Sequence, residues 1–144
     1  MIRVLFTLLT AIGFVGCTSH DPEPIHIGQD TCEHCRMTIS DPKFGGEIIY
    51  KTGKVVKFDA LICAAAHQAE NKDKVEKVFT LDFNNPGKLI DVTKAFFLQS
   101  KSIRGPMGAD ILGTETESGV KDLSQKFPGK VMKWEEAQKI LNAN

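Results

Sequence analysis

Glu47-Ile48-Ile49-Tyr50-Lys51-Thr52-Gly53-Lys54-Val55-Val56-Lys57-Phe58 is a pair of β-prone runs separated by a small polar turn. Branched and aromatic side chains favour the extended backbone, and Thr52-Gly53 supplies a turn, so the stretch predicts a β-hairpin. Asp59 then stands where a helix cap is expected, and Leu61, Ile62, Ala65, Ala66 and Ala69 fall at helical spacing. A polar run, Glu70-Asn71-Lys72-Asp73-Lys74, ends that helix, and Lys77 to Leu81 reads as a third strand. The order is strand, strand, helix, strand.

Downstream of Asn84-Asn85-Pro86-Gly87 the same order returns without a residue-level repeat. Leu89 to Val92 is a short candidate strand, Ala95 to Leu98 a stronger one, and Met107 to Gly113 its partner after the Arg104-Gly105-Pro106 turn. Thr114-Glu115-Thr116-Glu117 fits a capping box for a helix through Val120, Leu123 and Phe127, weakened at Gly119 and stopped by Pro128-Gly129. Val131 to Lys133 then forms a strand carrying a core Met132. A terminal helix from Trp134 to Leu141 is expected to bury Trp134, Ala137, Ile140 and Leu141. The expected fold is α+β: two tandem ββαβ units, 30–85 and 86–144, with a C-terminal helix.

Upstream of the hairpin, Asp41-Pro42-Lys43-Phe44-Gly45-Gly46 is a loop, preceded by Asp30-Thr31-Cys32-Glu33-His34-Cys35-Arg36-Met37. This places two thiols, an imidazole and a thioether within six positions, a density of soft donors that suits Cu(I) better than hard cations. Residues 17–29 are polar, with Pro22, Pro24 and Gly28, and read as a flexible tether carrying His20 and His26. Met1 to Gly16 has one charge, Arg3, and an apolar run too short to span a bilayer comfortably, which reads as a signal peptide. Phe14-Val15-Gly16-Cys17 has the form of a lipobox, in which Cys17 carries lipid and anchors the chain in the cell envelope, facing the periplasm or extracytoplasmic side.

Taking Arg3 from the 18 basic residues leaves 17 against 18 acidic ones, a near-neutral balance that argues against nucleic acid as a partner. With Cys17 lipidated, Cys32, Cys35 and Cys63 remain, an odd count that points to metal binding or a free thiol instead of a disulfide framework. A thioether has no proton to lose and forms no disulfide, so Met37 would keep its affinity outside the cytoplasm. Cys63 and His67 lie four apart on the predicted helix, hence on one face, and together with Cys32 and Cys35 would make a closed Cys₃His zinc site. Burial of Cys63 as a small apolar residue competes with that role. His34 within the cluster and His26 on the tether are further candidate ligands. Met107, between Gly105-Pro106 and Gly108, either projects a thioether from a loop or packs on Trp134 or Phe97.

Asp30-x-Cys32-x-x-Cys35-x-Met37, Phe44-Gly45, Phe58-Asp59, Asp91-x-x-x-Ala95-Phe96-Phe97-x-x-Ser100 and Met107-Gly108, together with the lipobox, resemble the NosL family. The resemblance spans most of the chain beyond the leader. It implies a tandem ββαβ fold and an extracytoplasmic Cu(I) metallochaperone. Such a protein serves an ABC-type transporter complex and, finally, the copper centres of nitrous oxide reductase. Carried over residue by residue, it implies Cys32, Cys35, Met37 and Met107 as copper ligands. Arg36 departs from the family's pattern, where glycine is frequent.

Two other functions compete with copper delivery: a zinc-stabilised interaction module, and a thiol redox protein using Cys32 and Cys35. No spacing assembles a nucleophile, base and orienting acid, so hydrolysis of a small-molecule substrate is not expected and the chain reads as a non-enzyme.

Overall fold

The computed structural model describes residues 20–108 and 110–143. The leader and Cys17 lie outside the described residues.

The hairpin forms as expected, with β1 at Gly46–Tyr50 and β2 at Val55–Phe58 in antiparallel register, Ile48 opposite Val56. Helix α1, Leu61–Glu70, follows, and β3, Val75–Leu81, returns to pair with the free side of β1. Strand β4, Leu89–Asp91, pairs antiparallel with β3, giving a four-stranded sheet of order β2-β1-β3-β4. The short strand that opens the second half of the sequence therefore extends the first sheet.

The second sheet repeats the plan. Strands β5, Phe96–Gln99, and β6, Ile111–Thr114, form an antiparallel hairpin, and after helix α2, Glu117–Lys126, strand β7, Lys130–Met132, joins the other side of β5. In both sheets the first strand of the unit is central, which is the ββαβ arrangement expected from the sequence. Helix α3, Trp134–Leu141, closes the described fold.

One continuous core joins the units. Ile48, Val56 and Phe58 of the first sheet pack in one cluster with Cys63, Ala64 and Ala65 of α1, and with Phe97, Trp134, Ala137 and Leu141 of the second unit. Phe97 and Trp134 meet at a ring separation of 5.4 Å. Because successive strand residues face opposite sides, Leu98 points away from Phe97 into a second cluster with Leu112, Val120 and Leu123 beneath α2. Met132 is buried as expected, and Ile140 is only half-buried at the rim.

Several local expectations change. Ala60, not Asp59, is the N-cap of α1, without a side-chain cap bond. The Asp59 side chain is drawn inside, 2% exposed, with Oδ1 lacking a hydrogen-bond partner among the described residues. Alanine-rich α1 is held by its buried face instead of a cap, the usual source of helix stability in a folded domain. Thr116, not Thr114, caps α2 by accepting the Gly119 N–H at 3.0 Å, because Thr114 is the last residue of β6 and takes an amide bond from Asn84. Residues 106–108 form one 3₁₀ turn, so β6 starts only at Ile111.

The described part of the expected tether is extended but docked. Lys57 and Glu47 are cross-strand partners and Lys77 pairs with Ile49, so these side chains share one face of the first sheet. The strap from His20 to Pro24 crosses that face: Glu23 N–H donates to the Glu47 carboxylate at 3.0 Å, Lys57 Nζ donates to Pro24 O, and Lys77 Nζ donates to His20 O. Buried Ile25 anchors its end in the core. Strand polar groups that the sequence assigns to solvent thus hold the approach to the cysteine loop.

Candidate metal centre

The cysteine loop is a narrow hairpin. Thr31 and Thr38 pair across it, Cys32 N–H donates to Met37 O at 2.8 Å, and Arg36 N–H donates back to Cys32 O at 3.0 Å. Arg36 closes the turn at φ +63°, in the left-handed region that glycine adopts without strain. The Arg36 guanidinium pairs with Glu33 at 3.1 Å on the surface.

Two ties hold the loop to the sheet. Glu33 N–H donates to Lys57 O, and the Asp30 carboxylate takes the Lys57 ammonium at 2.8 Å and the His26 N–H at 2.7 Å. Burial alone pushes the Asp30 carboxyl up, but these donors outweigh it and hold it below its usual range. So anchored, the loop lies against the first turn of α1.

There the sulfurs of Cys32, Cys35 and Cys63 lie within 4.8 Å of one another. Cys32 and Cys63 are buried, at 0% and 2% exposure, Cys35 is partly open, and all three are free thiols. The Cys63 thiol donates to Cys32, and backbone N–H groups of Asp59, Cys35 and His34 add to it, so Cys32 is lowered to about 4 against the cost of burial. The same contact, with burial, pushes Cys63 up. Burial raises the Asp59 carboxyl, opposed by the Ser40 N–H and reinforced by the Cys32 charge. A thiol biased toward its thiolate and surrounded by further soft donors is a site for a soft, thiophilic metal ion.

A cavity of about 430 Å³ opens over this cluster, lined by Cys63, His34, Ile62, Glu70, Leu141 and Met107 among others. Met107 stands in the 3₁₀ turn at φ +57°, 52% exposed, so the turn presents its thioether at the cavity instead of packing it on Phe97 or Trp134. Met37, 53% exposed on the return leg of the hairpin opposite Cys32, does not line that cavity.

The histidines fall elsewhere. His34 and His67 form a group with Glu70, their donor atoms within 4.8 Å of one another, and neither belongs to the three-sulfur group. His67 Nε2 is hydrogen-bonded to the Tyr50 hydroxyl, the ring lies 5.1 Å from that of Phe58, and burial lowers its pKa. A closed Cys₃His set is therefore not assembled. His26 is exposed, its ring 3.5 Å from Asp30, and joins neither group. Glu70 was hidden in the sequence as part of a solvated polar run. Its distance of seven from Cys63 and three from His67, one helical face, is the signal that finds it.

A sequence model of the NosL family matches residues 24–141. A copper-binding lipoprotein NosL from Stutzerimonas stutzeri is 30% identical over 158 residues, covering 95% of this chain and 80% of the relative. The crystal structure of the copper chaperone NosL from Shewanella denitrificans superposes with a TM-score of 0.73 at 22% identity, over 82% of this chain and 96% of that one, and so shares the fold. With the paired ββαβ units in place and the family's sequence matched from the strap to α3, this chain belongs to the NosL family.

Proposed function

We propose that this protein is a lipid-anchored, extracytoplasmic Cu(I) metallochaperone that delivers copper for the copper centres of nitrous oxide reductase, through an ABC-type transporter complex. The observation that carries the reading is the convergence of three cysteine sulfurs within 4.8 Å beneath a cavity that Met107 also lines. The names of the relatives from Stutzerimonas stutzeri and Shewanella denitrificans support copper as the cargo and, for the former, the lipid anchor that Cys17 would bear.

In this reading Cys32, whose thiol is held below its usual range, supplies the thiolate most readily. Cys35, partly open to solvent, and the exposed thioether of Met107 complete a two- or three-sulfur site with Cys63 at its buried floor, and Met37 is a further candidate donor from the cysteine loop. Soft donors and low coordination favour Cu(I) over harder ions. Delivery proceeds by ligand exchange: an acceptor's sulfur enters from the side of Cys35 and Met107 as these donors leave, and Cys32 and Cys63 release last.

Competition with a Cu(I) chelator tests the assignment. Near-stoichiometric binding is expected, weakened at least about tenfold, or ~1.4 kcal/mol, in Cys35→Ser and in Met107→Ala. Unchanged affinity in both variants refutes it. A second reading, structural zinc, draws on the same three thiols. It predicts that protein purified from the periplasm carries zinc that a chelator removes only with unfolding. A thiol redox role is disfavoured, since the low-pKa thiol, Cys32, is inaccessible to a substrate disulfide.

A further inference from the structure

The strap that leads to the cysteine loop also fixes where the chain crosses the edge of the first sheet on its N-terminal side. Glu23 and Pro24 are held by Glu47 and Lys57, which face each other across β1 and β2. His20 is held by Lys77, which donates to its carbonyl, and by Glu76, 2.7 Å from its Nδ1; Lys77 stands opposite Ile49. Followed toward the N terminus, the strap therefore moves toward the end of the sheet where β1 turns into β2. Cys17 lies three positions before His20, a reach of at most about 11 Å. A lipid on Cys17 would enter its bilayer beside that end.

Two turns converge there, 51–54 between β1 and β2 and 71–74 between α1 and β3, joined by the Lys51 N–H bond to Lys74 O at 2.9 Å. Lys51, Lys54, Lys72 and Lys74 are exposed on them, and none of the four forms an ion pair among the described residues. Of the carboxylates nearby in sequence, Asp73 shares the second turn, Glu70 ends α1, and Glu76 is taken by His20. Between the turns lies a hollow of about 430 Å³, lined by Tyr50, Lys51, Lys54, Asp73 and Lys74 among others. Lysines carry their charge on long apolar stems and bind phosphate as point charges, so three of them around an open hollow suit a lipid headgroup at an interface.

Charge alone does not select this end. Lys43 and Arg104 make a second basic spot before the start of β1, where Phe44 and Ile103 share one cluster. There, however, the Arg104 guanidinium donates to Lys101 O and Ile103 O, Lys43 lies over the Phe83 ring, and the strap leads away.

We infer that Lys51, Lys54, Lys72 and Lys74 form a membrane-contact surface that binds anionic phospholipid headgroups and, with the docked strap, seats the domain on its bilayer in one orientation. The inference rests on the lipid anchor at Cys17 in the function proposed above. The sulfur cluster stays uncovered, because the cysteine loop is tied to β2 at Lys57, toward the other end of the strand. Anionic lipid attracts lysines near its surface, and salt screens that attraction.

The test places the lipidated protein in nanodiscs of phosphatidylcholine with about one third phosphatidylglycerol, doped with a headgroup spin-labelled lipid, and reads the loss of backbone amide signals in NMR. Loss is expected at 51–54 and 71–74, with 41–44 and 101–104 spared. The contrast is expected to fall at least about twofold in phosphatidylcholine alone. An equal fall is expected in the variant combining Lys51→Gln, Lys54→Gln, Lys72→Gln and Lys74→Gln, all exposed positions apart from the candidate metal ligands. A contrast unchanged by the four substitutions overturns the surface. So does equal loss at all four turns, which points the lysines to an acidic protein face instead. Mass spectrometry of the membrane-extracted protein decides the anchor separately. If Cys17 carries no lipid, that part of the proposed function fails, and Cys17→Ser protein titrated with the same lipids as vesicles still decides this surface. Amide shifts at 51–54 and 71–74 with phosphatidylglycerol present support it, and their absence overturns it.

Discussion

Glu47 offers a quantitative test of how the strap is held. It is fully buried in the centre of the first sheet, and its carboxylate takes the Glu23 N–H. Burial pushes its pKa from 4.5 up to about 7, against the lowering effects of the Glu23 N–H and Lys57. Since the folded protein then binds the proton more tightly than the unfolded chain, Glu47 contributes stability below pH 4.5. That contribution is lost as pH rises through about 7. At about 1.4 kcal/mol for each tenfold in proton affinity, the full span is about 3 kcal/mol. Roughly 2 to 3 kcal/mol of it falls between pH 5 and pH 8. Glu47→Gln removes the titration while keeping an acceptor oxygen for Glu23 N–H. Urea unfolding of wild type and variant at pH 5 and pH 8, compared by midpoint at constant m, reads the difference directly. The variant is expected to be the more stable at pH 8 and to lose most of the wild type's decline between the two pH values. Parallel pH profiles in the two proteins refute the reasoning, because they mean that Glu47 stays ionised and solvated throughout.

The turn geometry makes two further predictions. Arg36→Gly relieves a left-handed backbone at φ +63° and gives up only an exposed pair with Glu33, so the variant is expected to gain about 1 kcal/mol in urea unfolding. A loss of stability there would mean that the ion pair outweighs the backbone. Gly45 has φ +91°, and a Cβ there would sit 2.3 Å from Phe58 O, directly beside Asp59. Gly45→Ala is therefore expected to cost more than about 2 kcal/mol and to loosen the Asp59–Cys32 contact, seen as a higher thiol pKa in a pH titration of alkylation rate. A near-neutral variant with unchanged thiol titration would show that this corner is not rigid.

Much of the architecture was legible because its signals are local. Alternation and the Thr52-Gly53 turn mark the β1–β2 hairpin, alanine spacing marks α1, and Cys32-x-x-Cys35 announces a sulfur site before any fold is known. Where reading failed, a distant segment had intervened. Asp59 has the chemistry of a cap, yet its place behind the cysteine loop draws it inside. Leu89–Asp91 opens the second half in sequence, yet the free side of β3 offers its backbone a hydrogen-bonding partner. Residues 20–29 have a linker's composition, but Glu47, Lys57 and Lys77 on the sheet face capture their backbone groups.

The sequence by itself determined the paired ββαβ plan and the soft-donor loop, since strand pairing within each unit and ligand chemistry depend on neighbours a few residues apart. Tertiary structure alone decided that Cys63 joins Cys32 and Cys35, that His67 leaves them to stand with His34 and Glu70, and that Met107 faces the same cavity. Those groupings are set by how α1 packs against a loop 30 residues earlier and a turn 40 residues later. No local preference encodes the distance between side chains on three separately anchored elements.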